Sequence, residues 1–217
     1  MKKLIFSVVA VVSLSACTNF GGEKKLPILG RREVTTVEID GVTTADTIYH
    51  TIADFRFLDQ DSAWVTNETY DGKIYVADFF FTSCPTICPI MKTQMIRIYE
   101  AFEDNPEVGL LSYSIDPEHD TVAVLHDFAE RLGVKSDRWH FVTGDKDAIY
   151  DLGETSYMVV AGEDPDAPGG YIHSGAFLLV DKNRRIRGVY DGTVEEAVNE
   201  LMEDMKILLK EYNKEKS

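Results

Sequence analysis

Phe79-Phe80-Phe81-Thr82-Ser83-Cys84-Pro85-Thr86-Ile87-Cys88-Pro89 is the stretch that decides the fold. The segment Val76–Thr82 is short, mostly apolar and rich in β-forming residues, which predicts a buried strand. After it, apolar residues recur at helical spacing, as Met91, Met95, Ile98 and Phe102. The two cysteines therefore lie where a strand ends and a helix begins. Open α/β sheets usually carry their functional residues at this edge, where the carboxyl ends of the strands lie.

The prolines refine where the helix begins. Proline is best tolerated in the first turn of a helix, and it disfavours helical angles for the residue before it. We therefore predict that the helix starts at Pro89 and that Cys84 to Cys88 form a turn that caps it. A helix N-terminus lowers the pKa of a nearby thiol and favours the thiolate, the form that binds metals and attacks disulfides.

The rest of the chain alternates strands and helices. We predict further core strands at Glu107–Ile115, Trp139–Val142, Ala176–Val180 and Ile186–Tyr190, a candidate strand at Tyr157–Val160, an N-terminal strand or hairpin that turns at Asp40-Gly41, and helices at Val122–Leu132, Asp145–Leu152 and Val194–Tyr212. Strand–helix–strand–helix–strand–helix, then a hairpin and a closing helix, is a thioredoxin-like α/β pattern. It carries an N-terminal strand or hairpin extension and an inserted loop, Gly162–Gly170, before the last hairpin.

The N-terminal sequence is typical of a signal peptide for export. Met1-Lys2-Lys3 is basic, the apolar run after it is short for a membrane span, and Leu14-Ser15-Ala16-Cys17 resembles a bacterial lipobox. We expect cleavage before Cys17 and lipidation of that cysteine. The expected division is a signal peptide over residues 1–17, a tether and extension over 18–45, and the thioredoxin-like domain over 46–217.

Composition and cysteine usage narrow the function. The 217 residues carry a net charge of −15 without a basic stripe, which argues against a nucleic-acid partner. Of the three cysteines, lipidation of Cys17 leaves only Cys84 and Cys88. A disulfide that closes so small a loop would constrain the unfolded chain very little. The pair is therefore better explained by chemistry than by structural cross-linking.

A late histidine joins the cysteines. His173 immediately precedes the strand Ala176–Val180, and in a thioredoxin-like fold the loop entering that strand lies beside the cysteine turn. Two more segments stand out, Asp116-Pro117-x-x-Asp120-Thr121 and Tyr190-Asp191-Gly192. Together with Phe79–Pro89 and His173-Ser174, they give the chain a resemblance to the Sco/SenC family over roughly Tyr49 to Leu209.

The resemblance implies a membrane-tethered copper-binding protein that helps assemble the binuclear copper centre of cytochrome c oxidase. Carried over residue by residue, Cys84, Cys88 and His173 are the metal ligands, and the copper-bearing oxidase subunit is the partner. Two thiolates and one imidazole form a soft set suited to Cu(I) and able to hold Cu(II) less symmetrically. The expected location is the cell membrane, through the lipid, facing the periplasm or extracytoplasmic space.

Alternatives remain open at this level. Some members of the family act as thiol reductants or redox sensors, so the chain could be a thiol:disulfide oxidoreductase that keeps a partner's copper-ligand cysteines reduced, or a redox or copper sensor. Dedicated oxidoreductases carry Cys-x-x-Cys, whereas three residues separate the cysteines here. The resemblance favours a metallochaperone over an enzyme.

Several other residues have simpler interpretations. We assign Met91 and Met95 to core packing rather than to thioether ligation of copper. His119 is assigned to an exposed loop. Asp78 is either a solvated strand end or a buried carboxylate near the thiols. Many relatives carry an acid directly before the histidine, where this chain has Ile172, and Asp116 or Asp120 could take over that acid's orienting role.

Overall fold

The computed structural model describes residues 24–39 and 42–215, and a few side chains within them, including that of His173, lie outside this description. The strands are β1 (Arg32–Ile39), β2 (Val42–Tyr49), β3 (Arg56–Asp59), β4 (Trp64–Thr66), β5 (Ile74–Phe80), β6 (Val108–Ser114), β7 (Trp139–Thr143), β8 (Ala161–Glu163), β9 (Tyr171–His173), β10 (Ala176–Val180) and β11 (Ile186–Asp191). The helices are α1 (Ile87–Ala101), α2 (Val122–Leu132), α3 (Lys146–Asp151) and α4 (Glu195–Glu215).

A seven-stranded mixed sheet forms the centre, in the order β11-β10-β5-β6-β7-β3-β4. Strands β5, β6 and β7 run parallel, as the crossovers through α1 and α2 require. Strand β10 pairs antiparallel with β5, and β11 pairs antiparallel with β10. The carboxyl end of β5, with the cysteines just beyond it, therefore lies in the middle of the sheet.

The apolar run of β5 is explained by burial on both faces. All seven of its residues are buried, and neighbouring side chains point to opposite faces. Phe80 packs against Phe128 of α2, with ring centroids 5.6 Å apart, whereas Phe79 stacks on Tyr113 at 5.0 Å. Tyr157, which follows α3, packs edge-on against Phe79 and closes the second face.

The predicted α/β order is confirmed, and α2 has the predicted bounds. The Thr121 hydroxyl accepts a hydrogen bond from the backbone N–H of Val124 and caps the start of the helix. Gly133 ends it with a φ of 72°, a left-handed conformation that glycine adopts without steric cost.

One predicted strand is absent from the sheet, and a short observed strand was not predicted. Tyr157–Val160 is not a strand, because Tyr157 ends a π-helical turn and its hydroxyl lies 3.1 Å from that of Tyr75 and 3.0 Å from that of Tyr113. The apolar pattern there reflects one buried anchor rather than a strand. Strand β4 was not predicted, because three residues are too few to show alternation.

The expected N-terminal hairpin is confirmed as β1–β2, which pairs only with itself within the described residues; its turn, residues 40–41, lies outside them. The segment before it is attached to the domain, since Lys24 pairs with Asp204 at 2.7 Å and Arg187 donates to the carbonyl of Leu26 at 2.7 Å. Cys17 and the leader lie outside the described residues, and the division at residues 17 and 45 stays a prediction. Within the described ranges, no helix is both long and apolar enough to span a bilayer.

Candidate metal centre

The cysteine turn joins β5 to α1. Cys84 lies in the turn, Thr86 is the N-cap residue, and Cys88 is the second residue of the helix. The predicted start at Pro89 is therefore wrong by two residues, and Cys88 belongs to the helix rather than to the turn. The physical reason is that none of the first four N–H groups of a helix has an intrahelical partner, so proline at the third position removes no hydrogen bond.

The two thiols are buried and in contact without a disulfide between them, and their pKa values are shifted in opposite directions. Burial opposes ionisation of Cys84, yet hydrogen bonds from the backbone N–H groups of Thr86 and Cys88 and from the Cys88 thiol outweigh it, so the pKa of Cys84 lies below its ordinary value. Burial raises the pKa of Cys88 far above its ordinary value, and donation of its S–H to Cys84 adds to that effect. The surroundings of the pair thus lower the pKa of one thiol and raise that of the other.

A cleft of about 290 Å³ opens beside the pair. Its walls come from the cysteine turn, α1 and α2, and include Phe81, Cys84, Cys88, Lys92 and Phe128. A smaller cleft of about 160 Å³ reaches Cys84 from the other side, where Pro168 and Tyr171 line it. Although both cysteines are buried, Cys84 is thus approached from two sides.

Beneath the cysteines lies a buried ion pair. Lys92 Nζ is 2.8 Å from Asp78 Oδ2 and donates to Ser112 Oγ at 3.1 Å. Asp78 is fully buried and Lys92 is 4% exposed. Of the two interpretations of Asp78, the buried carboxylate is therefore confirmed. Lys92 was not predicted as a residue of the site, although its position four residues after Cys88 places it on the same helix face.

The loop after β6 is attached to the cysteine turn through Asp120. This buried carboxylate accepts hydrogen bonds from Thr82 and from Ser114 Oγ at 2.6 Å. It also accepts one from the ring nitrogen Nδ1 of His119 at 3.0 Å. The His119 ring is exposed, as predicted, and its hydrogen bond to Asp120 raises its pKa. Asp116 accepts instead from the Tyr171 hydroxyl at 2.8 Å.

His173 is carried by the hairpin of β8 and β9, where its backbone pairs with Ala161. The hairpin packs on the cysteine turn, because the rings of Tyr171 and Phe81 lie 5.1 Å apart and the Tyr171 hydroxyl reaches Asp116. Among the described side chains, no group of three histidine, cysteine or acidic residues could hold a metal ion. The side chain of His173 is not among them, so the three-ligand set Cys84, Cys88 and His173 stays a prediction, as does an orienting role for Asp116 or Asp120.

Four further histidine and methionine side chains lie outside the two clefts at the cysteine pair. Met91 and Met95 are fully buried core residues, as predicted. His140 lies 2.9 Å from Asp59, and His126 lies 3.1 Å from Asp61 on the surface. None of these side chains lines either cleft at the cysteine pair.

The fold and the thiol pair define a class: a thioredoxin-fold protein with a vicinal dithiol at the N-terminus of its first long helix. Residues 43–210 match the SCO1/SenC family model. The chain belongs to the SCO1/SenC family, which confirms the resemblance seen in the sequence. Its curated relatives include a SCO1 protein homolog from Bacillus subtilis, 29% identical over 168 residues that cover 76% of this chain and 86% of the relative.

Solved structures agree with this assignment. A SCO1/SenC family lipoprotein from Bacillus anthracis is 27% identical with a TM-score of 0.68, and the match covers 74% of this chain and 95% of that one. BsSco, described as a member of the Sco family of cytochrome c oxidase assembly proteins with a disulfide switch, is 28% identical with a TM-score of 0.65 over 73% and 93% of the two chains. ScoI from Bradyrhizobium japonicum, solved with copper bound, is 25% identical with a TM-score of 0.61 over 73% and 99%.

Proposed function

We propose that this protein is a lipid-anchored, extracytoplasmic copper metallochaperone that delivers copper to the binuclear centre of cytochrome c oxidase. The observation that carries the proposal is the pair Cys84 and Cys88, two contacting thiols of unequal acidity beside the hairpin that carries His173. The description of BsSco as an oxidase assembly protein supports the assignment of the recipient.

The donor set suits copper as cargo. Thiolate sulfur is a soft ligand that favours Cu(I), and a neutral imidazole completes a three-ligand set. A structural zinc site would want a fourth protein ligand. A site with three ligands leaves copper open to attack by a partner's ligand, and a chaperone must release its metal by such an exchange. The copper-bound ScoI structure supports copper as the metal.

The anchor is proposed from the leader. Lipidation in the motif Leu14-Ser15-Ala16-Cys17 would put the lipid only seven residues before Lys24, which is attached to the domain through Asp204. Seven residues span at most about 25 Å, so a lipid at Cys17 would hold the domain close to the membrane surface. The related lipoprotein from Bacillus anthracis supports this assignment.

A thiol:disulfide oxidoreductase is the second candidate. The lowered pKa of Cys84 favours this function, because a thiolate is the attacking species in disulfide exchange. The disulfide switch of BsSco is also consistent with it. The two functions use the same sulfur atoms and differ in one respect: copper binding requires His173, and thiol exchange does not.

Copper titration separates the two candidates. The full chain, purified in mild detergent with Cys17→Ser so that two thiols remain, would be reduced and titrated anaerobically with Cu(I) against a competing chelator. His173→Ala and Cys84→Ser would be compared with it, and His126→Ala serves as the matched control, because it removes an exposed histidine on α2. Disulfide reduction of a model substrate would be measured in parallel.

We expect one copper per chain and a large loss of affinity in His173→Ala and Cys84→Ser, with His126→Ala unchanged. Binding by His173→Ala that is as tight as that of the parent would refute the three-ligand site. Weak binding by every variant together with rapid disulfide reduction would establish the oxidoreductase instead.

A further inference from the structure

The buried pair of Asp78 and Lys92 needs an explanation beyond folding. Withdrawing two charges from water costs free energy, and replacing a buried ion pair with well-packed apolar residues is often neutral or stabilising. The register brings Asp78 opposite Ser112 on the neighbouring strand, and Ser112 donates to Asp78 Oδ1. Trp139 Nε1 and Lys92 Nζ both donate to Ser112 Oγ, at 2.9 and 3.1 Å. The polar side-chain groups of this network all have hydrogen-bond partners, so the charges are held in place.

The ammonium group is the end of this pair that faces the thiols. Lys92 lines the cleft together with Cys84 and Cys88, whereas Asp78 does not. Lys92 follows Cys88 by one helical turn, and its positive charge favours the ionised form of that thiol. Its other neighbours are aromatic faces, with the Phe80 ring centroid 4.0 Å from Nζ and those of Trp139 and Phe141 at 5.5 and 5.4 Å. These rings favour a cation at this position.

The net charge of the copper-loaded site suggests a role for the Asp78–Lys92 pair. Two thiolates, one neutral imidazole and Cu(I) carry one net negative charge, in a place where both sulfur ligands are buried. An uncompensated buried charge is costly, and a nearby fixed opposite charge lowers that cost. We propose that Lys92, held by Asp78, is a positioning residue whose fixed positive charge stabilises the anionic copper-loaded site and favours Cu(I) over Cu(II). This inference rests on the proposed function.

Because Lys92 faces the thiols and Asp78 does not, replacing Lys92 and replacing Asp78 should change copper affinity in opposite directions. Lys92→Met removes the positive charge, keeps the length of the side chain, and leaves the Asp78 carboxyl beneath the site. Asp78→Asn keeps the Lys92 charge and removes the negative charge that offsets it. A purely structural pair would instead respond in the same direction to the loss of either partner.

The test compares Lys92→Met, Asp78→Asn and the double variant Asp78→Asn/Lys92→Met, in the full chain with Cys17→Ser. Because Lys92→Met leaves a buried carboxyl without its partner and can fail to fold, the double variant supplies a neutral, near-isosteric replacement of the whole pair. Lys182→Met is the matched control, since Lys182 is also largely buried and pairs with Glu107 at 2.8 Å, far from the cysteines. The measurements are Cu(I) affinity by chelator competition and the Cu(II)/Cu(I) midpoint potential.

We expect Lys92→Met and the double variant to bind Cu(I) about 10- to 100-fold more weakly than the parent, with a lower midpoint potential. Asp78→Asn should bind at least as tightly and have a higher potential, and Lys182→Met should match the parent. Parental affinity and potential in the double variant would overturn the inference, as would equal weakening in both single variants. A parent chain that fails to bind copper would instead overturn the proposed function, and this inference with it.

Discussion

Asp120 and Thr82 are joined by two hydrogen bonds: the backbone N–H of Thr82 donates to Oδ2 over 3.0 Å, and its hydroxyl donates to Oδ1 over 2.5 Å. Thr82 precedes Cys84 by two residues, whereas Asp120 belongs to the loop after β6. Ser114 Oγ, at the end of β6, donates to the same carboxylate. One buried side chain therefore holds the ends of two adjacent strands and the start of the cysteine turn together.

Replacing Asp120 should destabilise the fold and loosen the turn. Asp120→Ala leaves the Thr82 N–H and the buried Ser114 hydroxyl without their acceptor, and each such loss costs about 1–3 kcal/mol. We expect the free energy of unfolding in urea to fall by at least that much. Glu118→Ala, an exposed carboxylate of the same loop, should stay within about 0.5 kcal/mol of wild type. Equal urea midpoints for the two variants would contradict the role given to Asp120.

The hydroxyl of Tyr171 should help to hold the hairpin that carries His173. Tyr171→Phe removes its hydrogen bond to Asp116 but keeps the ring packed on Phe81. A net hydrogen bond contributes about 0.5–1.5 kcal/mol, so we expect Cu(I) affinity to fall about two- to tenfold and amide exchange in β9 to accelerate. Tyr212→Phe, which removes a hydroxyl that accepts from Asn183 on the far side of the domain, is the control. Unchanged affinity and exchange in Tyr171→Phe would rule out this role.

The loss of folding stability at low pH should depend on Asp59. Burial opposes its ionisation, but hydrogen bonds from His140 Nδ1 and from the N–H groups of Ala63 and Asp61 outweigh it, so its pKa lies below 3.8. Because the folded pKa is lower than the unfolded one, Asp59 stabilises the fold above its unfolded pKa, and this stabilisation is lost as pH falls through the folded pKa.

The variant Asp59→Asn tests this pH dependence. Its deficit in unfolding free energy should be largest near neutral pH and should shrink below about pH 4, measured by urea unfolding from pH 7 to pH 3. Asp71→Asn, in the exposed turn before β5, gives the baseline for the loss of one carboxylate. A deficit that is the same at pH 7 and pH 3 would show that the Asp59 charge does not contribute.

If Cys17 is lipidated, incorporation of a labelled fatty acid into the protein should require Cys17 and no other cysteine. In a bacterial host fed a labelled fatty acid, the wild-type chain should take up label and sediment with membranes. Cys17→Ser should take up none, because it lacks the thiol to which a diacylglyceryl group would be attached. Cys84→Ser should label like wild type. Label on the Cys17→Ser variant would refute the anchor.

Much of the fold follows from short-range pattern. The apolar run of β5, the helical stripe of Met91 and Met95, and the bounds of α2 were predicted correctly, because each reflects a local periodicity or a backbone preference of single residues. The start of α1 was misplaced, since a proline is compatible with several positions in a first turn. Tyr157–Val160 was misread as a strand, because a single buried tyrosine can produce the same short apolar pattern.

The chemistry around the thiols depends on residues that the chain order keeps apart. From the sequence come the cysteine pair, its place between strand and helix, and the family to which the chain belongs, since these are properties of contiguous segments. The pairing of Asp78 with Lys92, of Asp120 with Thr82, and of Tyr171 with Asp116 appears only in the folded molecule. These partners lie on different elements, and a charge or hydrogen bond acts over distance in space rather than along the chain. The tertiary fold therefore sets the acidity and the charge of the site, whereas the local sequence supplies its sulfur atoms.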